Sequence, residues 1–548
     1  MQNVKLQFKI QNLRKKYPKF VYKSYSWKIL NKNLKISFDF KIEPNIYFKP
    51  KIVIENINRS QIKKVGDRVL NNLVFNLGLI EMISYWKASC SPEIIIKAGA
   101  LNQEQIKWWE DLIMRGMSQF FYENQINFQK ASFLKIKSIK ISPTFYAIAQ
   151  KVDEIYLVKD KSKILVPIGG GKDSIVTLEI LKEAGQNINC FSLNPTQATW
   201  KIMKIARLPD GGQTGCKKSI IVKRKIDPRL LELNQKGYLN GHTPFSAHLA
   251  FSSVLIAMLF DYKYIAFSQE RSSNEGNLKY LGKIINHQYS KSFDFEKKFR
   301  HYCQKYLTPG VEYFSFLRPL YEIQIAKLFS RFPQYFSVFL SCNEAYKTAS
   351  GFKKPSKKWC GKCPKCLFIF TSLYPFVDEK NLIKIFGENL FENKNLLPVM
   401  LQLIGEEKFK PRSENLTTPP NKIGRGNIAK QVKFLLRGKP FECVGTKKES
   451  LVAFYLALRS FMRRRVRRKL PTLLDYFQNK ILLKYPKLEK DSIKILNSWN
   501  KQHNLPRNFE EILKNHLKGL NLTRLSNTRL SNKLLNQGLN LTRLSNKL

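Results

Sequence analysis

Three groups of residues in this 548-residue chain have types and spacings that could do chemistry. The first is Gly169-Gly170-Gly171-Lys172-Asp173-Ser174. An apolar run, Ile164 to Ile168, precedes it, and apolar residues at helical spacing (Ile175, Leu178, Ile180, Leu181) follow it. A strand, a glycine turn and a helix start make an anion site, because glycines let backbone amides approach an oxyanion and the helix dipole faces it. The second is Cys360, Cys363 and Cys366, two overlapping CxxC units with Cys342 as the nearest upstream cysteine. Four thiolates so placed suit tetrahedral zinc, and an iron–sulfur cluster uses the same donors. The third is the polar stretch Gln269 to Asn277, which follows an expected strand, Tyr264 to Ser268. Polar density beyond a buried strand is where α/β enzymes hold site residues.

The anion loop is not a Walker loop, since Val166 stands where its first glycine belongs and Asp173 follows Lys172. Nor does it have the third glycine of a dinucleotide fingerprint. What remains, GGxDS in Gly170 to Ser174, resembles the PP-loop of the N-type ATP pyrophosphatases, which usually reads SGGxDS. Gly169 occupies the place of that Ser.

These groups need elements to hold them. Residues 1 to about 60 alternate apolar and polar positions and predict antiparallel strands. A helix ending near Cys90, a strand, and an amphipathic helix opened by Leu101-Asn102-Gln103-Glu104 follow. The aromatics Tyr85, Trp86, Trp108, Trp109, Phe120, Phe121 and Tyr122 read as core. From Lys161 the pattern is α/β, with strands at Ile188–Leu193 and 219–223 and a long apolar helix after Gly241-His242-Thr243-Pro244. Leu193 and Asn194, at a strand's carboxyl end, are candidate adenosine neighbours. Residues 278–340 read as helical, most clearly over Pro319–Phe329, and another helix starts near Glu449. The expected fold class is α/β, with a parallel sheet of PP-loop type, an N-terminal α+β domain and a mostly helical C-terminal region. The expected domains are 1–155, 156–409 with the cysteines, a linker or insertion at 410–428, a helical region at 429–515, and a tail at 516–548 in which GLNLTRLSN occurs twice.

The formal net charge is +54. Such a charge fits a nucleic-acid partner, but Lys is spread along the whole chain, so that partner is not favoured. The dense cluster Arg463–Lys469 reads as a solvated helix end. Nine unevenly spaced cysteines exclude a secreted disulfide framework. The N-terminus has no apolar h-region, and the longest apolar stretch, Phe245–Phe260, is too short to span a bilayer. A soluble cytoplasmic protein is expected, with its oligomeric state left open.

Several blocks in order, GLIEMISYWKASCSP, VPIGGGKDS, LNGHTPFSA, SQERSSNEGN, WCGKCPKC and KPFECVG, resemble the UDP-N-acetylmuramoyl-L-alanyl-L-glutamate epimerase (MurL-type) family over roughly residues 50 to 460. The resemblance implies inversion of the terminal L-Glu of UDP-MurNAc-L-Ala-L-Glu through an acyl-adenylate, with ATP converted to AMP and diphosphate. On that reading Gly169, Gly170, Gly171 and Ser174 hold the departing diphosphate, Lys172 offsets phosphate charge, and Asp173 helps to place Mg²⁺. Glu270, Glu275, His242 and Cys216 are the candidate proton-transfer groups. Cys342, Cys360, Cys363 and Cys366 would hold structural Zn²⁺. A PP-loop enzyme that adenylates tRNA or a nucleobase is the alternative.

Overall fold

A computed structural model describes residues 10–139, 162–207, 219–347, 355–406, 439–464 and 469–518. Cys216, the insertion at 410–427, the repeated tail and the middle of the Arg463–Lys469 cluster lie outside these residues.

The first strands are β1 (Lys19–Leu30), β2 (Asn33–Ile42), β3 (Ile46–Phe48) and β4 (Lys51–Glu55), joined antiparallel through β2. In β2, buried and partly exposed residues alternate strictly, so one face meets the core, as the period-two sequence predicts. Helix α1 (Asp67–Trp86), strand β5 (Glu93–Ile96), helix α2 (Gln103–Gly116) and strand β6 (Lys135–Ser138) follow. Asn102 caps α2 and makes a reciprocal capping box with Gln105. Tyr85, Trp86, Trp109, Phe120, Phe121 and Tyr122 are buried, and Trp108 packs at their edge.

The second half of the sheet contains β7 (Ile164–Pro167), α3 (Lys172–Glu183), β8 (Ile188–Leu193), α4 (Gln197–Ala206), β9 (Ile220–Lys225), α5 (Phe245–Phe260) and β10 (Tyr264–Phe267). A separate hairpin, β11 (Leu278–Tyr280) and β12 (Lys283–Ile285), precedes α6 (Phe293–Tyr302) and β13 (Glu312–Ser315). Helices α7 (Glu322–Phe329), α8 (Pro364–Leu373) and α9 (Lys447–Arg463) complete the surroundings of the site. Residues 278–340 are therefore not uniformly helical. β11, β12 and β13 are only three or four residues long, too short to show a period against the helices around them.

Ten strands run in the order β13-β10-β7-β8-β9-β4-β2-β1-β5-β6, with β3 added on β2, in one 11-stranded sheet. Pairing is parallel from β13 to β9 and again from β1 to β6. It is antiparallel between β9 and β4 and in the N-terminal meander, so strands of the N-terminal region and of the glycine-loop region share one sheet. Strands β7, β8 and β10 and the first half of β9 are buried on both faces, which is why these stretches are mostly apolar. Their alternate residues feed two cores. Leu165, Val222 and Ile265 pack towards α1, α5 and α6, whereas Val166, Ile221 and Ala266 pack towards α7, α8 and α9.

From β7 the chain proceeds outward through β8 to β9, then returns to the other side of β7 for β10 and β13. The strand order thus reverses between β7 and β10. The loops leaving their carboxyl ends diverge there and leave a crevice, the place where an open α/β sheet binds ligands. Among the described residues, no helix is long and apolar enough to cross a membrane.

Candidate active site and thiolate cluster

The glycine loop leaves β7 at this crevice. Gly170 has φ +93°, and a Cβ there would lie 3.4 Å from the Leu340 carbonyl and 3.4 Å from Thr199 Oγ1. Only glycine takes this turn without strain. The α3 N-cap is Gly171, which supplies no capping side chain. The first amides of α3 are therefore left for a ligand. Gly169 and Gly171 line a cavity of about 420 Å³, together with Asp173, Ser174, Leu193, Asn194, Glu270 and Lys291. Phe191, Phe245 and Phe267 supply apolar wall. The Ser174 hydroxyl donates to the Gly171 carbonyl at 3.0 Å, which ties the helix start to the loop. Asn194 is held by two bonds: its amide donates to the Arg224 carbonyl at 2.9 Å, and its oxygen accepts from the Arg224 amide at 2.8 Å.

Three carboxylates converge under the loop. Oxygens of Asp173, Glu270 and Glu322 all lie within 4.8 Å of one another, an arrangement that could hold a divalent cation. Lys172 is buried and ion-paired to both Asp173 and Glu322. Burial works to discharge its ammonium, but Asp173 and Glu322 outweigh it and raise its pKa. Lys172 thus braces carboxylates under the loop, and the lysine in the cavity wall is Lys291. Burial also works to raise the Glu322 carboxyl, yet Lys172 and Lys365 overcome it and bring it down to about 2. Lys365 Nζ lies 3.7 Å from Glu322. Glu270 behaves oppositely. Burial, and then the charge of Glu322, push its carboxyl up to about 7 against the pull of Lys291.

A wholly buried Arg318 fixes this wall. Its guanidinium donates to the Glu270 carbonyl at 2.8 Å, to Gln269 Oε1 at 3.1 Å and to the Lys291 carbonyl at 2.6 Å, and it pairs with Glu296 at 3.0 Å. One side chain thereby sets the loops that carry Glu270 and Lys291. Glu449, in the first turn of α9, accepts from the Glu322 amide at 2.7 Å and from Ser272 Oγ at 2.6 Å. It joins the start of α7 to the loop after β10.

Glu275 and His242 stand apart from the carboxylates. Glu275 lies 3.2 Å from Lys439. His242 packs edge-on to His287 with ring centroids 6.3 Å apart. Burial, then the charges of His287 and Lys87, drive the His242 imidazole down to about 3.

The second cluster is Cys342, Cys360, Cys363 and Cys366, whose sulfurs lie within 4.8 Å of one another. Pairwise separations are 3.9 Å for Cys342–Cys363, 3.6 Å for Cys360–Cys366 and 3.5 Å for Cys363–Cys366. Four sulfurs about 2.3 Å from a tetrahedral zinc lie about 3.8 Å apart, so this set fits a closed site. Gly361, with φ +67°, makes the tight turn, and the Lys362 amide donates to Cys360 Sγ at 3.4 Å.

The residues not anticipated as site residues are Lys291, Glu322, Arg318, Glu449, His287 and Cys443. Cys443 lies in the KPFECVG block, but its loop has no local pattern that assigns it chemistry.

Two family models match the chain: the MurL N-terminal domain over residues 11–316 and the MurL C-terminal domain over residues 338–413. This chain belongs to the MurL family. UDP-N-acetyl-alpha-D-muramoyl-L-alanyl-L-glutamate epimerase from Micromonospora sp. is 30% identical over 380 residues, covering 69% of this chain and 73% of the relative. The epimerases so named from Xanthomonas oryzae pv. oryzae and Salinispora tropica are each 30% identical, over 377 and 380 residues, covering 69% of this chain and 72% of theirs. No solved structure matches the chain. Cys443 and Glu449 lie beyond the segment that the MurL C-terminal model matches, although Glu449 bonds directly to the start of α7.

Proposed function

We propose that this MurL-family protein inverts the terminal L-Glu of UDP-MurNAc-L-Ala-L-Glu to D-Glu, a step in making a peptidoglycan precursor, and that ATP activates the glutamyl carboxylate. The inversion follows from family membership. The activation reading rests on one observation, the Asp173–Glu270–Glu322 cluster set beneath an uncapped, glycine-turned helix start at the strand-order reversal.

The chemistry gives the activation its purpose. The α-proton beside a carboxylate is very weakly acidic, because its removal places a second negative charge beside the first. Adenylation neutralises the carboxylate and gives an acyl carbonyl that can carry enolate charge. The amides of Gly169 to Gly171 and of the first turn of α3 would receive the phosphates, with Leu193 and Asn194 beside the adenosine. Asp173, Glu270 and Glu322 would hold Mg²⁺, which offsets phosphate charge when bound. Lys172 pairs with two of those carboxylates, Asp173 and Glu322, and helps to hold Glu322 ionised. The thiolates of Cys342, Cys360, Cys363 and Cys366 would hold Zn²⁺, which would stabilise the segment between α7 and α8.

The test is incubation with Mg-ATP and UDP-MurNAc-L-Ala-L-Glu, followed by assay of AMP and of the configuration of the glutamate recovered by hydrolysis. AMP together with D-Glu is expected. D-Glu without AMP would remove the activation step, and absence of both would remove the whole reading.

A further inference from the structure

Beside Lys291 the structure assembles a second reactive group. Lys291 Nζ lies 3.1 Å from Cys443 Sγ, and His287 Nε2 lies 3.9 Å from the same sulfur. The His287 tautomer follows from its neighbour. Asn277 donates through its amide nitrogen to the Pro440 carbonyl at 2.7 Å, so its oxygen must face the histidine. That oxygen accepts from the His287 backbone amide at 3.0 Å and from Nδ1 at 2.9 Å. Nδ1 therefore carries the proton, and Nε2 turns its lone pair towards the thiol. A sulfur, an imidazole oriented by an amide oxygen, and an ammonium at the sulfur make an activated thiol by geometry. Cys443 is only partly buried, while His287 and Asn277 are buried. Lys291 belongs to both places, since it also lines the cavity at the glycine loop.

We infer that Cys443 is a proton-transfer residue of the inversion, serving one face of the glutamyl α-carbon, with His287 and Asn277 as its positioning residues and Lys291 as the cation that holds its thiolate. This deepens the epimerase reading and rests on it. The thiolate takes the α-proton: the Cα–H bond breaks, an S–H bond forms, and the electron pair enters the acyl carbonyl as enolate. A water-derived proton then closes the opposite face and the enolate pair forms the new Cα–H bond. The Sγ proton passes to His287 Nε2 and on to solvent, which restores the thiolate. In the reverse direction Cys443 returns the proton. The charges around the sulfur agree with this role. Burial pushes the thiol up, but Lys291 and then Lys365 outweigh it, against the opposing charge of Glu322, and its pKa lies below the ordinary value.

The experiment separates inversion from activation. With Mg-ATP and UDP-MurNAc-L-Ala-L-Glu, Cys443→Ala is expected to keep AMP formation within a few fold of wild type while D-Glu falls at least about 100-fold, the usual worth of a general base. The AMP that it still makes shows that the variant is folded. If the variant loses AMP as well, iodoacetamide on the wild-type protein decides. At pH 7 Cys443 should be alkylated at least tenfold faster than in Lys291→Met, and the alkylated protein should keep AMP formation and lose D-Glu. Undiminished D-Glu from Cys443→Ala, or alkylation insensitive to Lys291→Met, would overturn the inference. An acyl group captured as a thioester on Cys443 would overturn it too, by making the sulfur a nucleophile. Wild-type protein that forms neither AMP nor D-Glu would count against the epimerase reading itself, and the alkylation comparison would still test the thiol.

Discussion

Among the described residues two compact acidic clusters stand out, and they are built on opposite plans. The thiolate cluster is closed. Its four sulfurs converge on one another, and Cys342, Cys363 and Cys366 are buried. The carboxylate cluster of Asp173, Glu270 and Glu322 is ringed by the side-chain cations Lys172, Lys291 and Lys365 and borders an open cavity. Zinc held by four converging thiolates, as proposed, would offset their charge and so become part of the fold. Carboxylates already offset by lysines tolerate loss of a cation, which suits a site that must exchange ligands at every turnover. Donor type alone does not tell these plans apart; the placement of the lysines does.

The largest expected break in this contrast is Asp173→Ala. AMP formation should fall at least about 1,000-fold, while metal analysis should still find about one zinc per chain. Brief chelation should stop AMP formation reversibly and leave the zinc in place, and zinc lost as fast as activity would erase the distinction. Arg318→Met comes next. It strands the buried Glu296 carboxylate and releases the loops of Glu270 and Lys291, so denaturant unfolding should report a loss of about 3–5 kcal/mol. Cys363→Ser should lose the zinc and lower the melting temperature by about 5 °C or more.

The pH dependence of the carboxylate cluster is smaller and has a definite sign. Glu270 stands near 7 in the folded protein, above its ordinary 4.5. Its contribution to stability is therefore fully present below about pH 4.5 and is lost as pH rises to about 7. Cation binding and AMP formation should run the other way and rise over that window as the carboxyl ionises. Glu270→Gln should remove the rising limb from the AMP profile. The smallest effect is expected at Gly169, where a Cβ meets nothing within 4 Å. Gly169→Ser should change stability by no more than about 0.5 kcal/mol and give the loop the hydroxyl usual in PP-loops.

Much of this arrangement was legible in the sequence, for identifiable reasons. Ile164–Pro167, Ile188–Leu193 and Tyr264–Phe267 are apolar runs with strong punctuation, and each forms a strand. The glycine loop and the CxxC units are contiguous, so their spacing alone brings their groups together. Cys342 is 18 residues from Cys360, yet as the nearest upstream cysteine it was the candidate fourth ligand. Glu322 was unreadable as a site residue, because a helix-start glutamate is usually a surface charge and only the fold brings it to Lys172, 150 residues away. The same holds for Cys443, whose partner Lys291 is 152 residues distant. His242 and Glu275 were read as site residues because they flank turns and strand ends; the fold sets His242 against His287 and Glu275 beside Lys439, pairings that neither position specifies.

The antiparallel seam between β4 and β9 bears on how a large nucleotide-sugar peptide enters. Residues 51–54 pair with 222–225 in continuous register across that seam. Two lobes joined by a strand ladder cannot swing apart like a jaw without tearing out its amide–carbonyl bonds. Admission must then depend on short segments at the rim, while the frame beneath stays still from one turnover to the next.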